Sequence, residues 1–297
     1  MVAEALVYDG EKVSLLKRSV SIRVNEVLVK PLSVFIGGVE NYIVTGKIPF
    51  KRPIILGHTG IGRIVETGSH APSELSGKIT IIKPVTTNGV LGINLDGLLS
   101  KQVSVPIDAI AKTISVDEPK YAISYYVAIA NYISKQIKEK DILIIGGGIT
   151  GLSLLTITSS IKVDIVTFSR ESYRLARRLC TTVFRDLKEV KDRYSVIYYN
   201  LLTPIYLSYI GNFTKDGCEI YINPITAMLY GKAISIPLEH KRCHVITPVP
   251  EDSDYVANME KIWDIIGSEI KVVRIESMKE LVTLLPTRPF GIIIGLS

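Results

Sequence analysis

Residues 141–160 read DILIIGGGITGLSLLTITSS. An apolar run, Ile142 to Ile145, leads straight into three glycines, and a second apolar stretch opens after Gly151. The first run has the length and β-branched content of a buried strand; the second, free of Gly and Pro, reads as a helix. Glycines at a strand-to-helix turn have a mechanical use. Gly146 permits the tight turn, Gly148 lets the backbone approach a pyrophosphate, and Gly151 lets the helix lie close on the strand. The helix start, at Ile149 and Thr150, then offers N–H groups and a partial positive charge to an anion. A GxGxxG spacing alone is weak. Here a strand precedes it, a helix follows, and a second apolar strand comes about a dozen residues on, which is the setting that gives the motif weight.

Outward from this turn the chain keeps the same rhythm. VDIVTFS, TVFRD, YSVIYYN, CEIYINP and CHVITPV read as strands, with helical segments such as ESYRLARRL expected between them. Strands apolar throughout, alternating with helices, predict an α/β fold: a doubly wound parallel sheet covered on both faces. The segment 117–139 opens with acids and Pro119 and reads as a buried helix. Before it lie short strands broken by Gly and Pro (VNEVLVKPLSVFI, GRIVETG, KITIIKP, SKQVSVP), which predict a mostly β domain. SMKELVTLL, 277–285, carries a capping box, Ser277 with Glu280, and the chain closes on the strand-like FGIIIGL.

The end of the second strand of such a fold chooses between two cofactors. An acid there accepts from the adenosine ribose of NAD. In VDIVTFSRESYR the acid, Asp164, sits near the strand's start, and Ser169 and Arg170 stand at its end with Arg174 one turn on. A serine and two arginines suit a 2′-phosphate, so NADP(H) is expected over NAD(H). The nicotinamide end is expected near the turns after the fourth and fifth strands, Asn200–Thr203 and Asn223–Pro224, because ligands sit at the carboxyl ends of parallel strands.

Composition bounds the rest. With 297 residues, 47% apolar and 22% charged, the chain has material for two domains. The apolar runs are too short for a transmembrane span, and MVAEALVYDGEK lacks a signal-peptide pattern; a cytoplasmic protein is expected. The net charge of +6 is dispersed, without the basic–aromatic interleaving of a nucleic-acid surface. Cys180, Cys218 and Cys243 are far apart in sequence, form no CxxC pair, and read as ordinary thiols. Two glutamines against many lysines and isoleucines hint at a thermophile.

GGVENYIVTGKIP (37–49), ILGHTGIGRIVETG (55–68), DGLLSKQVSVP (96–106), GGGITG and the tail RPFGIIIGL together resemble the medium-chain dehydrogenase/reductase superfamily, the alcohol dehydrogenase and quinone reductase group. The resemblance spans nearly the whole chain. It implies a GroES-like catalytic domain over 1–117, completed by 268–297, and a Rossmann domain over 118–267, with nicotinamide and substrate meeting between them. The departures are as informative. Zinc-dependent members carry Cys-Gly-(Ser/Thr)-Asp-x-His; this chain reads Gly37, Gly38, Val39, Glu40, Asn41, Tyr42. The ligand cysteine has become Gly37, the relay hydroxyl Val39, and the acid survives as Glu40. His58 remains, but the glutamate after it is Thr59. Catalytic zinc needs three protein ligands, so no metal is expected. The segment that holds the structural zinc lobe is shortened to VTTNGVLGINLDG.

The resemblance then implies an NADP(H)-dependent, zinc-independent oxidoreductase that reduces a small quinone or carbonyl-conjugated substrate by hydride transfer. Tyr42, His58 and Tyr126, with Tyr125 beside it, are the candidate proton donors. The alternative is a non-catalytic relative that binds nucleotide and acts as a sensor or partner-binding subunit. A homodimer is expected, if at all, through the cofactor-domain sheet edge at CHVITPVP, 243–250.

Overall fold

The computed structural model describes residues 1–158, 162–179, 182–231, 234–238, 241–285 and 290–296. The chain divides into two compact units, Met1–Tyr125 with Gly267–Ser297, and Tyr126–Ile266.

The second unit is built on six strands, all parallel, in the spatial order Thr182–Phe184, Val163–Val166, Ile142–Ile145, Tyr194–Tyr199, Thr214–Ile222, His244–Ile246. Numbered along this unit, that is 3-2-1-4-5-6, the doubly wound order. The order reverses at Ile142–Ile145, so the glycines that follow it lie at the switch point, where such sheets hold ligands. Ile142–Ile145 and Val163–Val166 are buried at every residue, which explains why the first is wholly apolar and the second is apolar but for the hydrogen-bonded Asp164. The helix Ile149–Ile157 has eight of nine residues buried and packs on Met259–Ile266. Arg170–Leu179 buries only one stripe, Ser172, Leu175 and Ala176, and turns its arginines outward.

Asp141, just ahead of the central strand, ties three strands together. It accepts from Ser195 N at 3.0 Å, Ser195 Oγ at 2.6 Å and Lys215 Nζ at 2.6 Å. Partial burial works to raise its pKa, but the Lys215 and Ser195 bonds outweigh it and hold the carboxyl below its ordinary 3.8. A group lowered on folding contributes stability that is full above its unfolded pKa and is lost as pH falls through the folded one. Asp141→Asn is therefore expected to lower the thermal midpoint at pH 7, with the gap to the parent closing below about pH 3.8; a gap that is constant from pH 7 to pH 2.5 would contradict this.

Several expected helices are replaced by tighter turns. The crossover before Tyr194–Tyr199 holds only the 3₁₀ turn Leu187–Glu189, with Asp186 accepting from Lys188 N, because the connection is too short for an α-helix. The next crossover ends in a 3₁₀ segment, Leu207–Phe213. The segment 117–139 begins as 3₁₀, Pro119–Ile123, and becomes α-helical over Ser124–Gln136. Ser277 and Glu280 form their capping box, but Met278–Leu284 winds as 3₁₀.

The first unit centres on an eleven-residue strand, Glu26–Ile36. It pairs antiparallel with Thr59–Thr67, with Val103–Pro106 and with Ile292–Leu296. Pro31 is tolerated inside it because the register shifts between Pro31 and Ser33, where no ladder bond is required of the proline. Lys271–Ile275 pairs parallel with Ile292–Leu296, and Ile79–Ile82 and Ile110–Ile114 continue the sheet on the other side. Val2–Tyr8 pairs with Val13–Ser19 and Ile54–Ile55. A short helix, Gly38–Val44, was not legible among these strands. VTTNGVLGINLDG forms a small hairpin, Val85–Thr86 with Gly89–Val90, held by Asn94 Oδ1 accepting from Val90 N at 2.6 Å. Among the described residues, no helix is long and apolar enough to cross a membrane.

Candidate functional site

Gly146 turns the chain with φ +114°, a conformation that an L side chain adopts only with strain. Gly148 is exposed and caps the helix Ile149–Ile157 with no side-chain bond, so its first N–H groups are not covered by a cap. A side chain built at Gly148 would meet only Asn200 Nδ2, at 3.4 Å. Gly151 is the opposite case: a Cβ there would lie 2.3 Å from the Gly146 carbonyl oxygen. Ile149 and Thr150 are buried beneath the turn, so their contribution to a ligand is through the backbone. An open glycine over an uncapped helix start fits a dinucleotide's pyrophosphate.

Two asparagines extend this turn across the carboxyl ends of the strands. Asn200 Nδ2 donates to the Gly146 carbonyl at 3.2 Å. Its Oδ1 accepts from the Tyr198 hydroxyl at 3.0 Å and from Asn223 Nδ2 at 3.1 Å. Asn223 Oδ1 accepts from Ile225 N and so caps the helix Pro224–Tyr230. Burial pushes the Tyr198 phenol well above its ordinary range, which keeps it a neutral donor to Asn200. The sequence places Asn200 and Asn223 in the turns expected near the nicotinamide end; that their side chains meet depends on the strand order. Thr226 Oγ1 adds a bond to the Leu201 carbonyl at 2.5 Å.

At the end of the second strand, Ser169 has a structural task. Its Oγ accepts from Ser172 N at 3.0 Å and bonds Ser172 Oγ at 2.8 Å, so it caps Arg170–Leu179. Arg170 and Arg174 are exposed on the first turns of that helix. Asp164, by contrast, is buried, with the Tyr194 hydroxyl donating to its Oδ2 at 2.5 Å. Phe168 and Tyr206 stack face to face, centroids 5.3 Å apart, beside this strand end.

In the first unit, His58 and Glu40 form a pair with no exposure at all. Glu40 Oε1 lies 2.6 Å from His58 Nδ1 and accepts from His58 N at 3.1 Å, while Oε2 accepts from Gly37 N at 2.8 Å. With the carboxylate accepting, the Nδ1 tautomer is fixed and Nε2 is the other ring nitrogen. The Phe35 ring meets the imidazole edge-on, 6.1 Å between centroids. A Cβ at Gly37 would fall 2.6 Å from that same ring, so the benzene ring takes the room a cysteine there would need. Thr59 is buried and donates to the Ile82 carbonyl at 2.8 Å, a sheet-stabilising role. Among the described residues, no group of three or more His, Cys, Asp or Glu side chains is placed to hold a metal.

Tyr42 lies two residues after Glu40 on Gly38–Val44, where side chains point to roughly opposite sides. It is half-buried, with Lys47 Nζ over its ring at 5.4 Å. Tyr126 is half-buried in Ser124–Gln136, while Tyr125 is buried. A groove of about 520 Å³ in the first unit, lined by Glu4, Lys17, Lys30, Lys101 and Glu276 among others, contains none of the candidate residues.

The fold is shared with known dehydrogenases. An alcohol dehydrogenase from Thermus sp. ATN1 superposes with a TM-score of 0.72 at 14% identity, covering 99% of this chain and 100% of that one. A short chain alcohol dehydrogenase from E. coli CFT073, complexed with NADH, gives 0.70 at 15% identity over 99% of both chains. TarJ from S. aureus, in complex with NADPH, gives 0.69 at 13% over the whole of both. No protein-family model and no curated protein matches the sequence. The class is therefore defined by architecture: a parallel Rossmann-like sheet with a mixed-β unit, the medium-chain dehydrogenase/reductase fold. In this chain Gly37 and Thr59 serve the packing of the unit: the Phe35 ring fills the space beside Gly37, and Thr59 bonds the Ile82 carbonyl.

Proposed function

We propose that the protein is an NADP(H)-dependent, zinc-independent oxidoreductase of the medium-chain dehydrogenase/reductase superfamily, acting on a small quinone or carbonyl-conjugated substrate. The observation that carries the reading is the glycine turn: Gly148 exposed over an uncapped helix at the switch point of the sheet. Residues 118–267 form the cofactor domain in this reading, and 1–117 with 268–297 the catalytic domain. Gly146, Gly148 and Gly151 shape the pyrophosphate seat, the N–H groups at Ile149 and Thr150 neutralise it, and Asn223 lies toward the nicotinamide end. When bound, NADPH supplies the hydride.

Arg170 and Arg174 give the preference for the 2′-phosphate, since Ser169 already serves as a helix cap. Arg170→Ala is expected to weaken NADPH binding about 10-fold or more, the worth of one charge-assisted bond, and to leave NADH unchanged. Side-by-side titration of parent and variant tests this; equal losses for both nucleotides would refute the assignment.

The proton donor is drawn from Tyr42, Tyr126 and His58. The two tyrosines are half-buried, whereas His58 is closed off and held by Glu40. Loss of a positioned donor costs about 10²–10⁴-fold in rate. Tyr42→Phe or Tyr126→Phe is expected to show that loss in kcat toward an enone or quinone, with NADPH affinity unchanged; full activity in both would remove the tyrosines from the mechanism. A second reading, a nucleotide-binding protein without turnover, is favoured by one observation: Val39, at the relay position, is itself buried. Tight NADPH binding with no oxidation by a panel of quinones and enones would support it.

A further inference from the structure

We propose that Cys218 and Cys243 are joined by a disulfide that ties the edge strand His244–Ile246 to its neighbour Thr214–Ile222. The two lie 25 residues apart in sequence, with no motif to pair them. The sheet pairs them instead. Glu219 stands opposite His244 and Ile220 opposite Val245; one step back along the same register sets Cys218 opposite Cys243. Opposed residues on neighbouring strands project to the same face, with backbones about 4.8 Å apart, inside the span of about 4.4–6.8 Å between Cα atoms that a disulfide bridges.

The thiols are free in the structure and in contact, Sγ to Sγ 2.8 Å. The segments just ahead of both cysteines are pinned to each other. Gly217 N donates to the Arg242 carbonyl at 2.7 Å, Arg242 N to Asp216 Oδ1 at 2.9 Å, and Lys241 Nζ to the Gly211 carbonyl at 2.7 Å. Closing the bond therefore asks little movement of either strand. Cys243 is half-buried and is the thiol that a reagent reaches; Cys218 is fully buried. Burial, and then the Cys243 sulfur beside it, push the Cys218 thiol above its ordinary range, so it is the second to react.

The oxidant is a small-molecule disulfide such as oxidised glutathione. Cys243, as thiolate, attacks one of its sulfurs and displaces a glutathione thiolate. Cys218 then attacks the Cys243 sulfur of the mixed disulfide and displaces the second. The protons lost by the two cysteines go to the two departing thiolates. Two protein thiols become one disulfide, and one oxidised glutathione becomes two thiols. The bond closes a loop that contains Asn223 and the helix Pro224–Tyr230, so it restrains the unfolded chain as well as the sheet edge.

The test uses the full chain, reduced and then incubated with oxidised glutathione. Thiols counted after denaturation are expected to fall from three per chain to one, and a non-reducing peptide map is expected to join the peptides carrying Cys218 and Cys243. Adding reductant should lower the thermal midpoint by roughly 5–10 °C, in the parent and in Cys180→Ser, and leave Cys243→Ser unchanged. Three thiols after oxidation, or a bond mapped to Cys180, would overturn the proposal; the map needs no variant to fold. Cys180 itself lies outside the described residues.

Discussion

Glu40→Ala is expected to lower stability by about 3–5 kcal/mol, because it leaves several buried donors without their shared acceptor at roughly 1–3 kcal/mol each. The alanine removes more than a charge. Gly37 N, His58 N and His58 Nδ1 all lose their bond to this one carboxyl, and all three lie in an interior with no access to water. The strand end at Gly37, the helix Gly38–Val44 and the entry to Thr59–Thr67 are held together at this point. Glu40→Gln keeps the volume and one acceptor oxygen, and is expected to fall between parent and alanine. Denaturant unfolding of the three proteins measures the series. An alanine variant within 1 kcal/mol of the parent would mean that water enters to replace the carboxylate, and the pair would then be no more than a surface-like one.

The glycine turn yields the second large effect, as a contrast between two methyl groups. Gly151→Ala places Cβ 2.3 Å from the Gly146 oxygen, 3.2 Å from Ile144 Cγ2 and 3.3 Å from Asn200 Nδ2. The methyl thus presses on the carbonyl that Asn200 holds. Overpacking of this kind costs about 1–3 kcal/mol, and the turn must move to relieve it, so nucleotide affinity is expected to fall about 100-fold, or ~2.7 kcal/mol. Gly148→Ala has room, with its nearest neighbour at 3.4 Å and an ordinary φ of −71°. It is expected to unfold like the parent yet to lose affinity, because the added methyl stands where a phosphate approaches. Equal NADPH affinity in Gly148→Ala and the parent would remove the pyrophosphate from this turn.

What could be read from the sequence was what rests on local pattern. Ile142–Ile145 is buried on both faces, so its apolar residues run unbroken, and Val163–Val166 is broken only by Asp164; together they mark a parallel sheet. The glycine spacing and the Ser277–Glu280 box are likewise local, and both take the geometry their residues suggest. The winding of short segments was not legible. Leu187–Glu189 and Met278–Leu284 differ from α-helix by hydrogen-bond step, which side-chain periodicity over so few residues hardly registers. The short helix Gly38–Val44 is too brief to show a helical period and is fixed by tertiary contacts of Glu40.

At the candidate site the limit is the same. Ser169 stands where the sequence places it, but its use as a helix cap shows only in three dimensions. Asn200 reaches back 54 residues to Gly146, and Glu40 forward 18 to His58. Neither bond follows from spacing. The same holds for Phe35, whose ring fills the room beside Gly37.

The pairing of Ile292–Leu296 with Ser33–Ile36 has a consequence for how the chain is made. The first unit is discontinuous, while the second, Tyr126–Ile266, is one unbroken stretch. During synthesis at about 5–20 residues per second, the Ser33–Ile36 stretch of that strand's edge waits roughly 13–50 s for a partner some 260 residues later, since Val103–Pro106 covers only Glu26–Val29. Throughout that interval it offers unpaired N–H and C=O groups on an apolar strand, the surface most prone to join another chain. The nascent protein therefore carries this open edge while the second unit is already able to fold, and the arrival of Ile292–Leu296 closes the first sheet.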